Sequence, residues 1–381
     1  MSGSHWEEHA ERLAEQVTHR GSRWSAPIAA TPRHWFVPRW WESDGGGWTV
    51  RDGASDEAEW MRLAYSDRTL VTRVGAAHAD HVPDGVRATG RPTSSSTLPG
   101  LVVQMFRHAR IAEDSRVLDV GVGSGYSAGV LSAYLGDERV TSVDVDPYLT
   151  EVAAERLAGI GQHPDVMTLD ATGSLPGTYD RIVSMVSVRP VPSSWLAALK
   201  PGGRLVTTLT NTTMIITADK TPDGGAVGRV EWDRAGFMAT RSGADYPPRL
   251  PGVFDAVRDL DGDDVTTGRY PVLDVVEAWD LRSMLEITAP DIEHHFKQGA
   301  DGWRTAWMLH ADGSWARATG HRGDPPTVHQ AGPRRLWDIL ETVRHRLNMS
   351  GDLPVRGATV TITPDGTVTL RRGHWNATIA E

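Results

Sequence analysis

Residues 117–131 read VLDVGVGSGYSAGVL, and this stretch decides the fold. An apolar run containing Asp119 leads into a loop with glycines at positions 121, 123 and 125. The mainly apolar run YSAGVL (126–131) follows this loop. Glycine lets the backbone turn sharply and approach a ligand closely, and the amino end of a helix favours negative or polar groups. The stretch therefore predicts a strand, a ligand-binding loop and a helix.

The flanking sequence repeats this pattern. Apolar runs predict strands at 116–120, 139–146, 166–171, 179–188 and 204–209, and amphipathic or apolar runs predict helices at 126–135, 149–161 and 193–203. Strands that alternate with helices of about ten residues are typical of a parallel sheet covered on both faces. The predicted fold class is α/β, a Rossmann-like core with a mostly parallel sheet and helices on both faces.

Both ends of the chain lie outside this alternation. Before the core, periodicity predicts helices at 4–20 and 98–111, whereas 42–57 is expected to be a loop and 76–96 is a polar stretch. After residue 210, hairpins are predicted at 214–232 and 359–372, each around a turn containing Asp-Gly, with an amphipathic helix at 334–348. The segment 243–271 is rich in proline and aspartate, so we predict two domains, 1–243 and 244–381, the second small and α+β.

Composition limits the class of function. The chain has 381 residues, no cysteine and a formal net charge of −10. These values exclude a disulfide framework and thiolate chemistry, and they argue against general affinity for nucleic acid or acidic membranes. The N-terminal sequence has no apolar signal segment and no apolar run long enough to span a bilayer is present. We therefore expect a cytoplasmic protein.

Two ligands compete for the glycine loop. A dinucleotide could use Gly123, Gly125 and Ala128, with Asp144 as the ribose acid. S-adenosylmethionine could use the whole Asp-x-Gly-x-Gly-x-Gly run, with Asp144 on the ribose and Asp170 accepting from the adenine amino group. The proline–glycine–glycine turn at 201–203 and the lack of any Tyr-x-x-x-Lys pair favour the second ligand. The residues predicted to bind it are Asp119, Gly121, Gly123, Ser124, Gly125, Asp144, Asp170 and Ala171.

Four segments in a fixed order resemble one family. TPRHWFVP (31–38), AYSDRTLVTRVG (64–75), the glycine loop, and YDRIVSMVSVRPVPSSWLAALKPGGRLV (179–206) are similar to elements of the protein-L-isoaspartate O-methyltransferases. The resemblance covers about residues 30–210. It implies methylation of a peptide carboxylate with S-adenosylmethionine as the cofactor and no metal.

Two departures from the family pattern bear on the substrate. The family carries an active-site hydroxyl in a Thr-Ile-Ser-x-Pro-type segment, and an ungapped count from Val117 places SSTLP (95–99) there, so Thr97 takes the place of the serine. This count leaves positions 93 and 94 as a spacer. VSVRP (186–190) replaces the usual small residues, and Arg189 could hold a substrate carboxylate through its forked donors. The predicted catalytic residue is Thr97, and the predicted substrate-binding residues are Ser95, Ser96, Leu98, Pro99 and Arg189.

The extension beyond 243, the insertion at 76–92 and the threonine favour a specialised substrate. Relatives with such extensions resemble tailoring methyltransferases of ribosomally synthesised peptides, lanthipeptides among them, in which a methyl ester leads through a succinimide to aspartimide or isoaspartate. This is our leading hypothesis, with the C-terminal domain recognising the peptide. General isoaspartyl repair and a non-catalytic peptide-binding adapter remain open alternatives. A small-molecule O-methyltransferase has no support from a metal-binding acid cluster or a histidine base.

Overall fold

The structure, a computed structural model, describes residues 6–241, 246 and 250–380. The helices are α1 (Trp6–Val17), α2 (Ser25–Ala30), α3 (Glu57–Ala64), α4 (Pro99–Ala109), α5 (Tyr126–Leu135), α6 (Pro147–Gly159), α7 (Ser193–Ala198), α8 (Pro251–Val257), α9 (Trp279–Thr288) and α10 (Leu336–Ser350). The strands are β1 (Arg39–Ser43), β2 (Trp48–Asp52), β3 (Leu70–Val74), β4 (Ala77–His78), β5 (Arg87–Ala88), β6 (Pro92–Ser96), β7 (Val117–Val120), β8 (Val140–Asp144), β9 (Asp165–Thr168), β10 (Tyr179–Val188), β11 (Leu199–Leu209), β12 (Met214–Lys220), β13 (Ala226–Arg234), β14 (Asp264–Thr267), β15 (Glu293–Gln298), β16 (Trp303–Leu309), β17 (Trp315–His321), β18 (Thr327–Ala331), β19 (Thr359–Ile362), β20 (Val368–Arg372) and β21 (Trp375–Ile379).

The central sheet has ten strands in the order β21-β20-β19-β13-β12-β11-β10-β7-β8-β9. The five strands from β11 to β9 run parallel, and they are the strands predicted from the alternating pattern. The order reverses between β10 and β7, and such a reversal opens a crevice at the carboxyl ends of the strands. This half of the sheet is a Rossmann-like core.

The expectation of a mostly parallel sheet is wrong. From β11 to β21 every neighbouring pair of strands is antiparallel, and these pairs make up five of the nine in the sheet. The reason is connection length, because a hairpin turn such as the one at 221–225 can join only antiparallel strands. Two further sheets, one of six and one of five strands, are antiparallel throughout the described residues.

Part of the six-stranded sheet lies within 42–57, which was expected to be a loop, and part lies within the polar stretch 76–96. β1 and β2 form a hairpin that pairs Trp41 with Val50, and both side chains are buried. β6 pairs with β3 although it consists of proline, threonine and serine. Hydroxyl residues usually favour turns, so this strand forms because Thr93, Ser94 and Ser96 are buried against neighbours that satisfy the backbone.

Both predicted hairpins after residue 210 are confirmed, as β12–β13 and β19–β20. The second hairpin does not stay in an appendage, because β19 pairs with β13 and extends the central sheet. Buried side chains from both sides of residue 243, among them Leu205, Ile216, Met308 and Val360, belong to one hydrophobic core. The division at 243 stays a prediction, but the C-terminal third is packed firmly against the core.

None of the helices in the described ranges has the length and apolar character that crossing a bilayer requires.

Candidate active site

A cavity of about 1020 Å³, counting its open mouth, lies in the crevice at the carboxyl ends of the parallel strands. Gly121 and Gly123 line it and have φ angles of +93° and +49°, a region that favours glycine. A Cβ on Gly121 would approach Val186 Cγ1 to 2.9 Å, and one on Gly123 would approach the Ser95 carbonyl oxygen to 3.0 Å. The glycine loop therefore exposes its backbone to the cavity, as the sequence predicted.

Two carboxylates follow the next two strands and line the same cavity. Asp144 ends β8 and accepts hydrogen bonds from the backbone N–H groups of Gly123 and Asp146, each at 3.2 Å. Burial raises the pKa of Asp144, and the hydrogen bond from the Gly123 N–H acts in the opposite direction. Asp170 follows β9 and accepts bonds from the backbone N–H and hydroxyl of Thr172, at 2.9 and 2.6 Å. Both side chains are fixed before any ligand arrives.

Apolar side chains complete the wall between the two acids. Leu149, Leu169 and Ala171 line the cavity beside Asp170. The indole N–H of Trp195 donates to the Ala171 carbonyl oxygen at 2.7 Å and fixes this loop. An apolar wall with one carboxylate beside it and another on the neighbouring strand suits a purine nucleoside, whose base needs burial and whose hydroxyls need acceptors.

Asp119 does not line the cavity. It is fully buried beneath the loop, where Oδ2 accepts from the hydroxyls of Ser127 at 2.9 Å and Ser142 at 2.8 Å, and burial raises its pKa to about 7. Its Oδ1 has no hydrogen-bond partner among the described atoms. Gly125, with φ +93°, precedes α5 and also lies outside the cavity wall. Asp119 and Gly125, which were both predicted to bind the cofactor, therefore support the glycine loop from outside the cavity wall.

The hydroxyl-rich segment supplies the opposite wall. Ser95, Thr97 and Leu98 line the cavity, and so do Thr93 and Ser94, which the sequence left as a spacer. The same segment borders a smaller adjoining cavity that includes Ser124, Ser95 and Thr97. Ser96 is buried outside the cavity wall, and Pro99 begins α4 without reaching that wall.

A buried arginine from the first family-like segment holds Thr97 in place. Arg33 Nη1 donates to the carbonyl oxygens of Ala64 and Ser66, at 2.7 and 2.9 Å. Its Nη2 donates to three more carbonyls: Arg68 at 2.7 Å, Ser96 at 3.3 Å and Thr97 at 3.3 Å. Burial lowers the pKa of Arg33 to about 10, which leaves the guanidinium charged at neutral pH. The sequence signalled this residue only through its motif.

Asp67, from the second family-like segment, fixes the other side of the same turn. Its Oδ1 accepts the backbone N–H of Gly100 at 2.7 Å, in the first turn of α4. A Cβ on Gly100 would lie 2.6 Å from Asp67 Oδ2, so a side chain there would displace the Asp67 carboxylate. The turn that carries Thr97 is thus bound to a buried cation on one side and a carboxylate on the other.

Arg189 does not line the cavity. Its Nη1 lies 2.6 Å from Glu286 Oε1 on α9, so the guanidinium joins the C-terminal part of the chain to the core. Burial raises the pKa of Glu286 to about 7, although Arg189 acts in the opposite direction. The geometry gives Arg189 a structural ion pair in place of the substrate contact that its position suggested.

Sequence reasoning missed the outer wall of the cavity, which is formed by residues 236–241 and Tyr246. This segment runs parallel to the end of β10, where Ser187 N–H donates to Met238 O at 2.8 Å and Thr240 N–H donates to Ser187 O at 2.9 Å. Arg241 then lies 3.3 Å from Asp146, which also binds Arg73. The segment 236–241 reaches the cavity because its backbone pairs with β10, which is distant in the sequence.

The fold and the cavity define a Rossmann-like protein with a ligand site at the carboxyl ends of its parallel strands. Residues 77–234 match the family model described as protein-L-isoaspartate(D-aspartate) O-methyltransferase. Over this range the chain is similar to that family, and the protein is a carboxyl O-methyltransferase that uses S-adenosyl-L-methionine.

Curated relatives give the extent of the similarity. The chain is 26% identical over 234 residues to protein-L-isoaspartate O-methyltransferase 1 of Archaeoglobus fulgidus, which covers 60% of this chain and 89% of that protein. It is 29% identical over 224 residues to the Aeropyrum pernix enzyme, covering 56% and 72%. With the Ignicoccus hospitalis enzyme it shares 35% identity over 112 residues, which is 28% of this chain and 53% of that one.

Solved structures also align with this chain. A protein-L-isoaspartate O-methyltransferase aligns over 98% of this chain and 99% of its own, with 16% identity and a TM-score of 0.48. A Plasmodium falciparum protein described as a beta-aspartate methyltransferase, in complex with S-adenosyl-L-homocysteine, aligns over 62% and 98%, with 12% identity and a TM-score of 0.42.

The residues of the cavity fit this cofactor. Asp144 would hold the ribose hydroxyls, the backbone of Gly121 and Gly123 would face the amino-acid moiety, and the segment 169–171 would hold the adenine, since all of these residues line the cavity. Gly121 and Gly123 have no side chain that would block the ligand, and the Asp144 carboxylate is already held by the Gly123 N–H. Such a ligand requires both features. When bound there, the cofactor supplies an activated methyl group on a sulfonium.

Proposed function

We propose that the protein methylates the carboxylate of an aspartate or isoaspartate in a peptide, and that it serves the tailoring of one ribosomally synthesised peptide. The methyl ester then activates that carbonyl for attack by the next backbone amide. Loss of methanol gives a succinimide, which persists as an aspartimide or opens to isoaspartate.

One observation carries the proposal of a dedicated substrate. Arg91, from the stretch that departs from the family pattern, places its guanidinium 4.7 Å from the ring centre of Tyr246, which lies beyond residue 243. Tyr246 lines the cavity, and Thr93, two residues after Arg91, lines it too. The two parts of the chain that extend the family pattern therefore meet at the cavity mouth, where a substrate enters.

The chemistry asks little of the protein beyond positioning. An aspartate carboxylate has a reference pKa of about 3.9, so it is ionised at neutral pH and needs no base. Thr97 orients this carboxylate by donating one hydrogen bond, since its hydroxyl has no partner among the described residues. The apolar side chains Leu101 and Phe237 on the cavity wall exclude water from the nucleophile.

The test compares two acceptor peptides. One is a generic isoaspartyl peptide, and the other is the peptide encoded beside the gene, carrying its other modifications. A kcat/KM for the second peptide at least about a hundredfold above the first, worth about 2.7 kcal/mol, supports dedicated tailoring. Equal efficiency on both peptides contradicts it.

General repair of isoaspartyl proteins is a second candidate, and the names of the curated relatives favour it. On that reading the cavity mouth admits any flexible chain, and random isoaspartyl peptides of different sequence are methylated at similar rates. A panel of such peptides, measured with one concentration of cofactor, separates the two candidates in a single experiment.

A further inference from the structure

A second cavity, of about 770 Å³ counting its open mouth, lies at the opposite end of α4 from the active site. Its floor is the buried pair Trp24 and Phe106, and its rim carries His19, Arg23, Arg107 and Arg110. The described lining residues include no aspartate or glutamate. We propose that this basic cavity binds an acidic segment of the peptide substrate. This segment is separate in sequence from the residue that is methylated.

The rim arginines are available to a ligand. Arg107 and Arg110 are exposed, and within the described ranges neither guanidinium forms an ion pair with a carboxylate. Arg23 donates to the Ile111 carbonyl oxygen at 3.0 Å, which holds its guanidinium at the cavity before a ligand binds. In a chain of net charge −10, three unopposed cations in one concave site attract an anion selectively.

The helix between the two cavities sets the spacing. Leu101 lines the active-site cavity, Gln104 is half-buried and Arg107 is exposed, so residues three apart form one accessible face of α4. The helix has 11 residues, and its length is about 16 Å. An extended peptide covers that distance with about five residues. The acidic segment therefore lies about five residues from the methylated carboxylate, and this register rests on the proposed function.

The first experiment measures binding without catalysis. A fluorescent hexaglutamate peptide, which contains no aspartate, is titrated with the full chain at low salt and followed by anisotropy. We expect the double variant Arg107→Ala/Arg110→Ala to bind the peptide about fivefold or more weakly than the unaltered protein. Added salt should also weaken binding of the peptide to the unaltered protein. Unchanged affinity in the double variant overturns the proposal.

A matched control removes the same charge elsewhere. Arg346 and Arg371 are exposed and, in the described part of the chain, form no ion pair with a carboxylate. Arg346→Ala/Arg371→Ala should bind the hexaglutamate peptide as the unaltered protein does. An equal loss in this control would mean that net charge, not the cavity, attracts the peptide, which also overturns the proposal.

The second experiment tests the register. Acceptor peptides carry a glutamate segment one, five or nine residues from the same methylated residue. We expect the five-residue spacing to give a KM several-fold below that of the one-residue spacing, with kcat unchanged, and Arg107→Ala/Arg110→Ala to abolish the difference. Methylation of all three with one KM contradicts the basic cavity and leaves the proposed function standing, whereas hexaglutamate binding without any methylation contradicts the proposed function alone.

Discussion

Replacing Thr97 by valine removes one hydroxyl from the active site and keeps the shape of the side chain. The Thr97 carbonyl stays bound to Arg33, and the hydroxyl has no hydrogen-bond partner among the described residues, so the fold loses nothing. A hydrogen bond to a charged group contributes about 1.5–3 kcal/mol. At 1.36 kcal/mol per decade, Thr97→Val should lower kcat about ten- to a hundredfold.

The assay follows transfer of a labelled methyl group to an acceptor peptide at saturating cofactor, with cofactor affinity measured by calorimetry. Thr97→Ser is the matched control, because it keeps the hydroxyl, and it should retain most of the activity. The melting temperature of both variants should stay close to that of the unaltered protein. Full activity in Thr97→Val refutes the orienting role, and a parallel loss of cofactor affinity would assign the hydroxyl to the cofactor instead.

Three further predictions concern the cofactor loop and the C-terminal contact. Asp144→Asn should weaken binding of S-adenosyl-L-methionine at least tenfold by calorimetry, since a charged acceptor of hydrogen bonds is lost, whereas Asp165→Asn on the exposed edge strand should not. Gly121→Ala should lower both cofactor affinity and the melting temperature, because its φ of +93° strains any side chain by about 1–2 kcal/mol. Burial raises the pKa of Glu286 to about 7, so the folded state holds this proton more tightly than the unfolded state and loses stability as pH rises from about 4.5 to 7. Denaturant titrations of Glu286→Gln should therefore show a smaller loss of stability over that range.

Each of these has a contradicting outcome. Equal cofactor affinities in Asp144→Asn and Asp165→Asn would mean that the Asp144 carboxylate does not bind the cofactor. An unchanged melting temperature in Gly121→Ala would show that the loop relaxes. Parallel pH profiles for Glu286→Gln and the unaltered protein would mean that Arg189 keeps the carboxylate ionised throughout.

The sequence predicted the parts of the site that depend on neighbours along the chain. Strand, glycine loop and helix follow one another within 117–135, and Asp144 and Asp170 come at the ends of the next strands. Because parallel strands place their carboxyl ends at one edge, these residues had to converge. Thr97 was placed by counting from the same strand, and it lines the cavity.

The parts that sequence could not supply depend on long-range pairing. The hydroxyl-rich strand β6 lacks the alternation that predicts strands, and it forms only because β3 is beside it. The wall at 236–241 is placed by the backbone of Ser187, about fifty residues earlier in the chain. Asp119 was assigned to the ligand by its motif, but its side chain points to Ser127 and Ser142 beneath the loop.

Arg33 illustrates a residue whose role only the structure explains. A motif marks its position, but a buried arginine usually requires a carboxylate partner. Here five carbonyl oxygens accept its donors, and two of them belong to Ser96 and Thr97. The arginine of this motif therefore holds the turn that carries the Thr97 hydroxyl.

The measurement that tests the account most directly is the site of the transferred methyl group. The full chain is incubated with methyl-labelled S-adenosyl-L-methionine and an acceptor peptide, and the product is mapped by fragmentation mass spectrometry before and after mild base. We predict one label on an aspartyl or isoaspartyl carboxylate, released as methanol by base, and several-fold less label with Asp144→Asn at the same limiting cofactor concentration. A base-stable label on nitrogen or on a hydroxyl would contradict carboxyl methylation at this cavity.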